Sequence, residues 1–161
     1  MRQSPGHWRW RSDPVTGQAV IFDMDGVLSD AAGRQHHLTG KRKDWDAFFL
    51  ACGEDPLIED VAPLLDLLDR DLKIVLLTGR PVSVRDITLE WLDCHKLRWD
   101  LLIMRPRGDY SAARSFKEAT IPQLRTFDLQ PVLGFEDDLR NAEMFRQSGV
   151  PCVYVHSGYY L

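Results

Sequence analysis

The chain has 161 residues, enough for one domain with a substantial core, and its 44% hydrophobic and 27% charged content are ordinary for a globular protein. A net charge of −4 excludes a global basic field for wholesale binding to duplex nucleic acid, though not a grip on one phosphorylated end. No apolar run approaches the roughly 20 residues of a membrane helix, and Cys52, Cys94 and Cys152 make no CxxC pair and follow no leader-like segment, so reduced thiols in a cytoplasm are expected.

Residues 1–17 lack periodicity and read as an N-terminal extension. Trp8-Arg-Trp-Arg11 within it suits an added strand or an unstructured tail better than a base-stacking arm. Residues 18–161 read as a single domain. Five apolar runs recur there: Ala19–Phe22, Leu72–Leu77, Asp100–Met104, Pro131–Phe135 and Pro151–Val155. Each is short and apolar on both faces, as parallel strands covered by helices are.

About 50 residues separate the first two runs, more than one crossover needs. A small cap-like insert is therefore expected at about 30–60, with a helix near Asp44–Cys52. Val61, Leu64, Leu65 and Leu68 share a helical face and predict a helix over Asp60–Asp69. Pro81 is placed to open the next helix at its first position, with Val84, Ile87 and Trp91 on one face. Ser115-Phe-Lys-Glu118 fits a capping box, and Pro122 predicts a kink or break soon after it. A helix over Asp138–Ser148 stops at Gly149. The β-α-β alternation predicts an α/β, three-layer α/β/α Rossmann-like domain with a mainly parallel five-stranded sheet.

The chemistry gathers where these strands end. Asp23-Met-Asp-Gly26 follows the first run. There Asp23 suits a nucleophile that forms an aspartyl-phosphate, and Asp25 suits the acid that protonates the leaving oxygen and then deprotonates water. By itself this is equally an acidic turn. Thr78-Gly79-Arg80 follows the second run, where a hydroxyl, free N–H groups and a guanidinium bind a phosphoryl oxygen, or where Thr78 is a plain turn residue before Pro81. Lys117 stands near a helix start, where the dipole disfavours a cation, so it reads as the neutraliser of Asp23 and phosphate or as a solvated lysine. Glu136-Asp137-Asp138 closes the fourth run, and three acids there repel one another unless a cation sits among them. Asp23, Asp137 and the Asp25 carbonyl suit Mg²⁺, with Asp138 also a candidate helix cap. Arg34, Arg80, Arg105 and Arg107 are candidates for a cationic entrance, against the alternative of ordinary surface arginines and a basic loop.

The order DxDG, (T/S)G, K, DD resembles the haloacid-dehalogenase (HAD) phosphohydrolase superfamily over residues 19–158. Within it the chain is most similar to the 3′-phosphatase domain of bacteriophage-type polynucleotide kinase-phosphatase. The likeness rests on Asp23–Leu28 with Gly33-Arg34, Thr78-Gly-Arg80, Arg105-Pro-Arg-Gly-Asp109, Lys117, Asp137-Asp-Leu-Arg140, Met144-Phe-Arg146, Gly149-Val150 and Ser157-Gly-Tyr159.

The resemblance implies catalytic roles for Asp23, Asp25, Thr78 and Lys117, and substrate contacts from Arg34, Gly79, Arg80, Arg105 and Arg107. It implies a Mg²⁺ site of Asp23, Asp25, Asp137 and Asp138, and a phosphorylated nucleic-acid end or nucleotide as substrate. Two departures stand out: Val27 replaces a usual Thr, and Ala112-Ala-Arg114-Ser115 replaces an acidic run before the lysine. No GxxxxGK[ST] occurs, so a separate kinase or ligase partner is an expectation. The alternatives are a small-metabolite or mononucleotide phosphatase and a receiver-like phospho-aspartate module. In the latter the acid pair comes first and the acceptor in the middle, the reverse of the order here.

Overall fold

A computed structural model describes residues 2–160. Its sheet has six strands in the order β1-β4-β3-β2-β5-β6. They are β1 (Trp8–Trp10), β2 (Gly17–Phe22), β3 (Lys73–Pro81), β4 (Leu101–Arg105), β5 (Leu129–Glu136) and β6 (Cys152–Tyr154). The expected five are all present and parallel. The sixth, β1, comes from the N-terminal segment and runs antiparallel along β4, with Trp8 opposite Ile103. It covers a sheet edge that would otherwise expose unpaired backbone.

Strand alternation divides the core. Val20, Phe22, Ile74 and Leu76 face one way, with Leu65 of α2 (Leu64–Leu67) and Trp91 and Leu92 of α3 (Arg85–Cys94). Ala19, Ile21, Val75 and Leu77 face the other, with Phe116, Ile121 and Leu124 of α4 (Ala113–Thr126) and Met144 and Phe145 of α5 (Leu139–Gln147). Helices on both faces of a buried parallel sheet make the three expected layers.

Local expectations fail where proline competes with packing. The helix expected over 60–69 shrinks to four residues, because Pro63 has no N–H to donate and stands at its N-cap. Pro81 is not the first helical residue but stands at the N-cap of a 3₁₀ turn, Val82–Val84, that leads into α3. It has extended backbone (φ −74°, ψ 154°) and pairs with Arg105, and α3 begins four residues later. Conversely, α4 runs unbroken through Pro122. Pro122 and Glu118, whose carbonyl loses its donor, both lie on the exposed face, open to solvent, while Phe116, Ile121 and Leu124 anchor the buried face. The capping box is absent as well: α4 starts at Ala113, and no side chain caps it. The insert holds a 3₁₀ turn at Ala32–Leu38, then α1 (Trp45–Leu50) capped by Asp44, then a second 3₁₀ turn at Ala51–Glu54.

This topology sets the place of the site. From β2 the chain moves outward through β3 and β4, then crosses back to β5 on the other flank of β2. Open α/β sheets bind ligands beyond the carboxyl end at such a reversal. Asp23 is the first residue past β2 there.

Candidate active site

Phe22 pairs with Leu76 on one side and Phe135 on the other, so the ends of β2, β3 and β5 form one rim. Asp23 stays fixed to it, its N–H donating to the Phe135 carbonyl at 3.0 Å and its Oδ1 accepting from the Met24 N–H at 2.8 Å. The chain then turns about the Met24 carbonyl, which accepts from the N–H groups of Val27, Leu28 and Ser29. Gly26 is required twice over. Its φ is +85°, and a Cβ there would collide with the Asp137 carboxylate and press on Ser157.

Two buried charge clusters flank this turn. In the first, Lys117 reaches across from α4, its Nζ 3.1 Å from Asp23 Oδ1 and 2.8 Å from Glu136 Oε2. Asp137 follows Glu136 off β5. Carboxylate oxygens of Asp23, Glu136 and Asp137 lie within 4.8 Å of one another. Both Asp137 oxygens and Glu136 Oε1 are buried with no hydrogen-bond partner. Burial, and then the charge of Asp23, push Glu136 and Asp137 well above the ordinary carboxylate range. Burial opposes the charge on Lys117, but Asp23 and Glu136 outweigh it and hold the ammonium above its usual range.

When ionised, three carboxylates against one ammonium leave two negative charges in a buried space, a costly arrangement for the chain alone. An all-oxygen, uncompensated set of this kind fits a hard divalent cation such as Mg²⁺.

In the second cluster Asp25 Oδ1 accepts from Arg34 Nη2 at 2.7 Å and Arg80 Nη2 at 2.6 Å. Arg34 is held in turn by Asp55 through Nε (2.7 Å) and Nη2 (2.6 Å), and its Nη1 donates to the Phe48 carbonyl. Arg80 also donates to Ser29 Oγ and Thr88 Oγ1. Two guanidiniums and two carboxylates balance. Burial alone would push Asp25 upward, but Arg80 and then Arg34 hold its carboxyl well below the usual range.

Of the residues singled out in the sequence, Asp23, Lys117 and Asp137 meet in one cluster, and Asp25, Arg34 and Arg80 in the other. Thr78 is buried, its hydroxyl accepting from the Arg80 N–H at 3.1 Å as a turn residue does. Gly79 sits beside it with Arg105 Nη2 close by, and Arg105 Nη1 donates to the Ser111 carbonyl. Arg107 is exposed in the loop beyond β4.

Two expectations are corrected. Arg34 and Arg80 line no open entrance; they are 3% and 0% exposed and committed to carboxylates. Asp138 stands outside the acid trio, because its carboxylate caps α5 through the Arg140 N–H and pairs with the Arg140 guanidinium. Three further participants have no role of their own in the sequence pattern. Glu136 was visible as the first of the three acids. Asp55 and Ser29 gave no signal, because their contacts depend on how the insert folds back.

A buried carboxylate, a lysine and a threonine hydroxyl on the rim of a doubly wound sheet suit a phosphatase of the HAD class. The chain belongs to the family described as polynucleotide kinase PNKP phosphatase domain, which matches residues 17–160. It is similar to a chain in a structure of the Pnkp1/Rnl/Hen1 RNA repair complex (24% identity, TM-score 0.75, covering 96% of this chain and 47% of that one). A second Pnkp1/Rnl/Hen1 structure is similar at 25% identity and TM-score 0.74, covering 92% and 48%. The chain thus spans about half the length of these two. The class C acid phosphatase from Bacillus anthracis, solved with tungstate bound, shares the fold at TM-score 0.64 and 14% identity, covering 91% and 69%. No curated protein matches the chain.

Proposed function

We propose that this phosphatase is a Mg²⁺-dependent phosphomonoesterase that works through an aspartyl-phosphate and removes a 3′-phosphate from a polynucleotide or nucleotide end. The observation that carries the reading is the buried Asp23–Lys117 pair beside Asp137, a carboxylate with no partner of its own. Asp23 attacks phosphorus and the P–O bond to the leaving 3′ oxygen breaks. Asp25 gives that oxygen its proton. Water then attacks the phosphorus of the acyl phosphate, losing a proton to Asp25, and inorganic phosphate leaves. Lys117 and the N–H groups around Thr78-Gly79 offset the charge on the phosphoryl oxygens.

Asp23 and Asp137, with the Asp25 carbonyl, would hold Mg²⁺, which supplies neutralisation of the incoming dianion. Asp25 enters as a carboxylate, already a base. For its acid step it first takes up a proton from solvent, which the negative charge of the arriving phosphate favours.

The 3′ end is supported by the family match and the likeness to chains from an RNA repair complex. A kinase or ligase partner belongs to the same proposal, on the likeness to chains from an RNA repair complex. Free cysteines suit a cytoplasmic setting, which is part of it too. Among the described residues, no helix is long and apolar enough to cross a membrane.

The test is release of inorganic phosphate from a 3′-phosphorylated oligonucleotide. Release should require Mg²⁺, stop with EDTA, and fall about a hundredfold or more in Asp23→Asn and in Asp25→Asn, both folded. Wild-type turnover in either variant refutes these roles. A strong preference for sugar phosphates turns the reading toward a small-metabolite enzyme.

A further inference from the structure

The sequence contains one run of three cations, Lys41-Arg42-Lys43, which the reaction does not use. All three are exposed on the insert, in a chain whose net charge is negative. Trp45 follows, 48% exposed, with Lys43 Nζ 5.8 Å from its ring centroid. A shallow depression here is lined by Arg42, Lys43, Asp44, Trp45 and Asp46. Asp44, which caps α1 by accepting from the Ala47 N–H, and Asp46 are both exposed and offset part of this charge, leaving the three cations in excess over the two acids.

The patch is tied to the reaction centre by three contacts. The Trp45 ring meets Phe48 at 5.8 Å, the Arg34 guanidinium lies 4.4 Å from the Phe48 centroid, and Arg34 reaches Asp25 at 2.7 Å.

We propose that Lys41, Arg42, Lys43 and Trp45 form a binding surface for single-stranded nucleic acid, holding the strand that leads to the reacting end. That last clause rests on the function proposed above; the binding does not. Clustered cations displace counterions from a phosphate backbone. An exposed indole among them offers a platform on which any unpaired base stacks. A duplex buries its base faces in its own stack, so the tryptophan selects for single strands. An acidic peptide would meet the cations but gain less from the ring.

Fluorescence anisotropy of a labelled single strand with a 3′-hydroxyl end tests binding without turnover. Replacing Lys41, Arg42 and Lys43 together by Ser should weaken binding about tenfold or more and lower the log–log salt slope by about 2, the loss of three single-strand contacts. Trp45→Ala should weaken it about tenfold, and Trp45→Phe much less. DNA and RNA strands should respond alike. On 3′-phosphorylated substrates, the preference for an oligonucleotide over a nucleoside 3′-monophosphate should shrink in the same variants.

Unchanged affinity and slope in the triple variant, equal binding of a blunt duplex, or tighter binding of an acidic peptide would overturn the proposal. The two readings fail separately. A strand that binds through this patch without phosphate release defeats the proposed reaction and leaves the surface. Phosphate release with unaltered strand binding in the variants does the reverse.

Discussion

Arg34 and Arg80 spend their charge inside the protein. Arg34 joins Asp25 to Asp55 while its guanidinium lies over the Phe48 ring, so it couples the insert to the turn after β2. Removing one partner from a buried network leaves the others uncompensated, so Arg34→Met should cost about 3 kcal/mol at neutral pH. The sign of its pH dependence follows from Asp25, whose folded-state affinity for protons is depressed. Such a carboxylate contributes fully above the usual carboxylate range and loses its contribution as pH falls through the depressed value. Urea denaturation at a series of pH values should therefore show the wild type and Arg34→Met far apart at neutral pH and converging in acid. A gap that widens on acidification would refute the clamp. Asp23, Asp25 and Asp137 stand out in the sequence because each follows an apolar run, and Lys117 because it lies in the first half of its helix. Asp55 does not. Its partner Arg34 is 21 positions away, and only the folded insert brings them together.

Among the elements, β2 to β6 could be read from apolar runs, since a strand buried on both faces needs no alternation to announce it. The N-terminal β1 was harder to see. Trp8-Arg-Trp10 is too short for a pattern, and its strand character comes from the open edge of β4. Helix bounds were misread at Pro63, Pro81 and Pro122, where local proline rules contend with what the sheet allows; exposure saves α4, and pairing with Arg105 keeps Pro81 in β3. Trp8 is buried, with its ring 5.0 Å from Phe127, and its indole N–H has no partner. Trp8→Ala should cost about 3 kcal/mol by chemical denaturation, whereas Trp8→Phe, which removes the unpaired donor, should cost much less. Neither should change kcat, because two strands, β4 and β3, separate β1 from β2. A large loss of kcat in Trp8→Phe would assign β1 a role at the rim.

For the molecule as a whole, the fold draws three carboxylates into one buried space and supplies a single lysine among them. That is a structural cost which a divalent cation would remove, so on the proposed function folding and metal binding should be linked. At Mg²⁺ about a hundredfold above its dissociation constant, linkage gives about 2.7 kcal/mol, a rise in Tm of roughly 5–10 °C for a domain of this size. Asp137→Asn relieves the repulsion without the ion and discards a ligand. The decisive measurement is thermal unfolding of the wild type and Asp137→Asn in EDTA and in Mg²⁺. Wild type should gain stability with Mg²⁺, while the variant should start higher in EDTA and gain little. A wild type indifferent to Mg²⁺, or a variant less stable than wild type in EDTA, would contradict a cation site between Asp23 and Asp137.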